Sequence, residues 1–317
     1  MADRINGFND RVIPLTIGLD TLANDDRVVA VGPYAAGYNA RGTALGYEAL
    51  AGPVGATAVG HEAYAGGSNG YSTALGAFST VNGADYATAL GGATEVTAHR
   101  STAIGSFVTA GGADTVLASF NTDTGADTSV LAGVGITAPD DTTQNVLVGN
   151  QAELPGGASN AVVAGYQATA GGYDNTVVGA NADGRAIRST VYGNYALGND
   201  QSAAFGGSAF ADGDSSTALG VSTTAGDNAN GATQATAIGY SSTATGHRSV
   251  AINGSVSTDG AGRIGVDQLV FGGSRDTVAD GDLNAGEVTV ELDEANGAFR
   301  LRGKDSGGTV REATVAW

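Results

Sequence analysis

Thr43-Ala44-Leu45-Gly46, Thr57-Ala58-Val59-Gly60, Thr73-Ala74-Leu75-Gly76, Thr88-Ala89-Leu90-Gly91 and Thr102-Ala103-Ile104-Gly105 repeat one pattern, hydroxyl–small–aliphatic–glycine, at steps of 14 to 16 residues. Followed outward, the marker glycine recurs upstream at Gly32 and downstream at Gly133, Gly149, Gly165, Gly179, Gly193, Gly206, Gly220 and Gly239. Ser119, in Thr115-Val116-Leu117-Ala118-Ser119, takes the glycine's place between Gly105 and Gly133, and Asn253 closes the series, giving 16 rungs. A unit of this length is too short for a helix pair and too long for one strand. It fits two short strands with a tight turn after each, one coil of a parallel solenoid. The marker glycine supplies positive φ at the turn and lets neighbouring coils approach closely. Coils hydrogen-bonded to one another at about 4.8 Å would stack into a rod on the order of 75 Å long.

Within each rung the strands differ. Three and five residues past the glycine lie small residues, Ala49 and Ala51 or Ala209 and Ala211, around a freely changing neighbour such as Leu50 or Phe210. That alternation marks one buried and one exposed face. The first strand is apolar or small on both faces. One face carries the residue before the glycine and the Thr or Val two places earlier. The other is Ala in the early rungs, then becomes Leu117, Leu131, Leu147, Val163, Val177 and Val191, then returns to Ala. A narrow coil has one interior, so one of the two faces must be covered by another chain. The expectation is that the six Leu and Val residues form a subunit contact. The opposite parity is the alternative, and it too leaves an apolar face to be covered.

Composition limits the rest. The chain has 317 residues with Gly at 52, Pro 5, Trp 1 and Cys 0, so a thin core repeated many times is open to it and a thick one is not. The net charge of −18 repels phosphate backbones, which excludes nucleic acid as an expected partner. Lys304 is the only lysine, and Asp outnumbers Glu. A hydrated Asp surface with almost no Lys suits high salt, where screening shortens the Debye length to roughly 3 Å at 1 M. The absence of cysteine excludes disulfides and thiolate chemistry. No apolar window reaches the length of a membrane span, and the charged start Met1-Ala2-Asp3-Arg4 lacks an export signal's apolar core. The chain is therefore expected to be assembled in a host cytoplasm, without membrane insertion.

The unit Ser/Thr-x-Ala-Ile/Leu-Gly-x-x-Ala-x-Ala resembles the head repeat of trimeric autotransporter adhesins, the YadA-like head, over roughly Val28 to Thr258. The resemblance implies an all-β, left-handed parallel β-roll, three chains packed side by side, and a role in surface attachment. No export signal, heptad stalk or membrane-anchor segment is expected to accompany it, and similar modules occur in tail fibres of tailed viruses. Residues 1–27 are read as a docking or capping segment toward other virion proteins, 28–258 as the β-roll, and 259–317 as a C-terminal antiparallel meander. The run from Asp282 to Val310 also resembles C-terminal segments of virion fibre proteins.

The expected function is a non-enzymatic, homotrimeric virion fibre subunit, on a tail or capsid surface, that attaches to a host glycan or glycoprotein. A virus of halophilic archaea fits the composition; a structural capsid spike or decoration, or a cellular adhesin, is the alternative. Exposed rings are the candidate receptor contacts: Tyr47, Tyr166 and Tyr240 directly after marker glycines, and Tyr64 and Phe210 outward on second strands, since such rings stack on sugar faces. No nucleophile–base pair is visible, and a glycan-cleaving site would need two carboxylates in a groove. No cofactor is expected. The acidic turns Asp212-Gly213-Asp214 and Asp280-Gly281-Asp282 lack the spacing of an EF-hand loop and read as solvated turns, so no metal is assigned. Arg41, Arg100, Arg188 and Arg248 share one repeat position and are expected to pair with nearby Asp.

Overall fold

The structure, a computed structural model, describes residues 14–316 apart from 26, 68–69, 253–256, 259–263, 267–287, 294–297 and 305–308. It divides into two units, Met1–Gln268 and Leu269–Trp317.

The first unit is a parallel β-solenoid of about 17 turns with a spacing near 14 residues. One coil runs from a first strand such as Thr43–Leu45, through a first turn at Gly46, into a second strand, Leu50–Ala51, and back through a second turn at Gly55. Equivalent residues stack in register: Thr43 on Thr57, Ala44 on Ala58, Leu45 on Val59. The glycine column stays aligned where it is interrupted, with Gly105, Ser119 and Gly133 paired in sequence. There strand pairing continues round the first turn, in Thr102–Ala110 and Val116–Thr124, and Ser119 is not among the residues with positive φ. Its hydroxyl instead donates to the Gly133 carbonyl at 2.7 Å.

The coils extend further than expected at both ends. Leu15–Ile17 pairs with Val29–Val31, so Leu15-Thr16-Ile17-Gly18 is a coil in its own right, not part of a separate docking segment. Thr16 in place of the inward Ala hid it. Ile264–Val266 pairs with Val250–Ile252 and continues the stack past Thr258. Residues 1–13, and the cluster at Asp280–Asp282, lie outside the described residues.

The inward column corrects the expected subunit contact. Leu117, Leu131, Leu147, Val163, Val177 and Val191 are fully buried inside the single chain, in line with Ala44 and Ala58. They are core, and a second copy cannot touch them. The reason is volume. Where the first strand carries Val177 or Val191, the second strand opposite carries Gly184 or Gly198 instead of Ala. A β-carbon at either glycine would sit 2.7 Å from the valine's Cγ2. Large and small exchange places across the coil, which keeps the packing dense.

One further inward column is polar. Ser101, Asn145, Asn175, Ser189 and Ser249 are buried beside the second turn, and the side chains of Ser101, Asn145, Asn175 and Ser249 bond to backbone groups there. The Asn175 side-chain oxygen accepts from the Ser189 N–H at 2.7 Å and the Ser189 hydroxyl at 2.9 Å, while its amide donates to the Gly171 carbonyl. Asn175→Ala strands these groups in the interior, and a loss of about 2 kcal/mol is expected. Hydrogen exchange at the Ser189 amide checks it: protection there falls while that of distant coils holds.

The second unit has three antiparallel strands, Val288–Asp293, Ala298–Lys304 and Val310–Ala316, with Val290 opposite Leu301 and Leu301 opposite Ala313. This is the expected C-terminal meander. Its two turns lie outside the described residues.

Candidate interaction surfaces

With the interior filled, the solenoid presents two sheet faces and two turn edges. The outward face of the first-strand ladder carries Leu75, Leu90, Ile104, Val130 and Val148, all exposed by a third or more. Thr, Val, Ala or Ile fills the other outward place of each strand, and Tyr192 stacks on Phe205 at 5.5 Å in this face. From Leu15 to Ile252 no outward first-strand position is charged, although 15% of the chain is Asp, Glu, Lys or Arg. At about 4.8 Å per coil the stripe runs roughly 80 Å, beyond the apolar patches soluble monomers expose. The need for a covered face thus survives the change of parity.

The turn edges differ in the charges they carry, and their side chains are placed by a backbone feature the sequence reading missed. Each regular coil has two residues in the left-handed region besides its marker glycine. One lies two places after the glycine, and the other about seven residues on: Tyr34 and Arg41, Ala93 and Arg100, Phe107 and Asp114, Tyr195 and Gln201. Left-handed backbone costs an L-residue about 1–2 kcal/mol. It is held because the N–H at that place keeps the inter-coil ladder running round the corner, as in Glu62 N–H to the Tyr47 carbonyl at 2.8 Å and Arg100 N–H to the Asp85 carbonyl at 3.0 Å. Side chains at these places project from the edge regardless of residue type.

At the first-turn edge these side chains are aromatic, apolar or acidic in some coils and neutral polar in others, among them Gln151, Gln167, Asn181, Ser208, Ser222 and Ser241. Tyr47, Tyr166 and Tyr240 lie here, as expected, exposed by 41%, 48% and 67%. Tyr34, Phe78, Phe107 and Tyr195 join them from the left-handed place. The repeated offset of two from the glycine was the signal that could have found them. Tyr34, Tyr47, His61 and Phe78 form a ladder with centroids 5.8, 5.2 and 5.0 Å apart. A hydrogen bond to Glu48, and that carboxylate's charge, hold the Tyr47 hydroxyl above the usual tyrosine range. Tyr64 and Phe210 are elsewhere, outward on the second-strand face and many coils apart, so the five candidate rings do not converge on one site.

At the second-turn edge the side chains are mostly charged and polar, with the rings of Tyr71 and Tyr86 among them. Arg27, Arg41, Arg100, Arg185, Arg188 and Arg248, all the arginines of the described solenoid, lie on it. Arg100 binds Asp114 of the next coil through Nε and Nη2 at 2.5 and 2.7 Å, holding that carboxyl below its usual range and the guanidinium above its own. Arg188 lies 3.9 Å from Asp174, and Arg248 donates to Gln234 at 2.9 Å. The expected Asp pairing thus holds for Arg100 and Arg188, while Arg248 takes an amide. His99 Nδ1 accepts from the Asp85 N–H at 3.0 Å, and His247 bonds Thr233 at 3.0 Å. Among the described residues no group of three or more His, Asp or Glu side chains is placed to hold a metal ion.

Comparison with known proteins agrees with the repeat unit. The family described as the YadA head domain repeat matches residues 39–63, 83–107, 198–223 and 231–252. Those segments carry repeats of the YadA head type, and they span less than half of the chain. Among solved structures, the collagen-binding domain of the Yersinia adhesin YadA is 21% identical, covering 48% of this chain and 77% of that one, with a TM-score of 0.35. No curated protein matches.

Proposed function

We propose that this chain is the head of a non-enzymatic, homotrimeric adhesion fibre that attaches a particle to a host surface. The observation that carries the reading is the uncharged apolar face running the length of the first-strand ladder, which three copies would bury against one another. The head-type repeats support attachment as the role. Three aligned chains present each ring that the assembly leaves exposed three times, so weak contacts with a surface glycan or glycoprotein add up through effective concentration. The carrier we propose is a virion, on the likeness of the segment from Asp282 to Val310 to virion fibre proteins, with the N-terminal region facing other virion proteins. The acidic, nearly lysine-free surface fits a saline habitat.

Sedimentation in high salt should give the mass of three chains. Labelled trimer should bind cells of salt-loving archaea, and a dissociated variant should bind far less. Single chains in sedimentation would end the trimer reading. A trimer that binds no cell envelope would end the receptor role and leave a structural one, and gold-labelled antibody on purified particles locates the chain.

A further inference from the structure

The two turn edges complement each other at several places along the stack, where an arginine on one lies half a coil above or below a ring on the other. Arg41 on the second-turn edge lies seven residues from Tyr34 on the first-turn edge of the same coil, and Arg27 lies seven before Tyr34. Arg100 lies seven before Phe107, Arg188 seven before Tyr195, and Arg248 eight after Tyr240. Where the second-turn edge carries Tyr71 and Tyr86 instead, the first-turn edge at that level carries Phe78, so ring faces ring. The described first-turn residues include no arginine or lysine, and their charges are Asp20, Glu48 and Glu62.

Three copies packed by the apolar face around a three-fold axis meet head to tail. Each chain's first-turn edge abuts the next chain's second-turn edge, with no shift along the axis, because cyclic symmetry has no translation. Residues within half a coil of one another along the axis of one chain therefore face each other between chains. We propose that the trimer is closed by this heterologous contact, in which Arg41, Arg100, Arg188 and Arg248 of one copy stack on Tyr34, Phe107, Tyr195 and Tyr240 of its neighbour. This rests on the trimer reading above and adds which edges meet and by what chemistry. The arginines are pre-set for it. Arg100, Arg188 and Arg248 are each held along the edge by a side chain of an adjacent coil, and all remain exposed. A guanidinium fixed in its plane by a carboxylate still offers its face to a ring. Phe107, 64% exposed, and Tyr195, 59% exposed, hold bulky rings in left-handed backbone at the corner where such a neighbour would sit.

The chain has no cysteine, so introduced thiols report cleanly. The double variant R188C/Y195C, treated with a short bis-maleimide, should give a covalent three-chain species on a denaturing gel. Either single variant should give none, because a heterologous ring keeps identical positions apart. In sedimentation, Arg188→Ala and Tyr195→Ala should each weaken the trimer about tenfold per contact, and the pair together little more than one alone. An intact trimer in which the double variant yields no linked chains, or a single variant yields linked pairs, would overturn the edge pairing while leaving the trimer standing. Single-chain wild-type protein would overturn both.

Discussion

Val148→Asp should convert the associated protein into single, folded chains, while Leu147→Ala should do the reverse, destabilising the coil without directly touching association. The two residues are neighbours with opposite fates: Leu147 is fully buried and Val148 is 46% exposed on the outward face. Shortening Leu147 leaves a cavity in a core that cannot collapse across a rigid ladder, for a loss of about 3 kcal/mol. The Val148→Asp change costs its own chain at most about 1 kcal/mol in strand preference. In the trimer, however, it would place three carboxylates in a face with no charge to answer them, and burying an unpaired charge costs several kcal/mol. Sedimentation and chemical denaturation of both variants separate the effects. A Val148→Asp trimer as firm as wild type would mean that this face is not where the chains meet.

Gly149→Ala is expected to be strongly damaging, as is a methyl at any marker glycine of the column. The backbone there has φ 152°, and an added β-carbon would lie 2.1 Å from the Gly165 carbonyl oxygen of the next coil. Neither coil can yield without breaking the ladder, so a loss of about 3 kcal/mol or more is expected. Two controls divide that cost. Gly83→Ala has φ 73° but nothing within 4 Å, and should lose only the left-handed penalty, about 1 kcal/mol. Gly207→Ala has neither obstacle and should be near neutral. Denaturation midpoints that rank the three otherwise would show that coil stacking does not govern the glycine column.

The solenoid was legible because its signal repeats: hydroxyl–small–aliphatic–glycine at a fixed step defines strand, turn and stacking neighbour together. The direction of the first strand was not, because both of its faces are apolar and alternation cannot tell them apart. The deciding clue was present in Gly184 and Gly198, which stand where Ala is usual in the coils that carry Val177 and Val191. Reading across the coil, instead of along it, would have placed the Leu and Val column inside. The edge positions were legible only in part. Tyr47, Tyr166 and Tyr240 follow the glycine directly and were found. Tyr34, Phe107 and Tyr195 were missed, because residue type gives no hint of left-handed backbone when Tyr, Phe, Arg, Glu, Gln and Ser all occupy it. That conformation is imposed by the ladder around the corner, a tertiary constraint.

The same constraint has an evolutionary consequence. Because backbone bonding, and not side-chain chemistry, holds each corner, almost any amino acid can be exchanged there without disturbing the coil. The molecule thus keeps two columns of interchangeable positions at a fixed spacing. Where those positions lie outside the contact between copies, a lineage pressed to recognise a changed target can redraft them one letter at a time while its scaffold stands still.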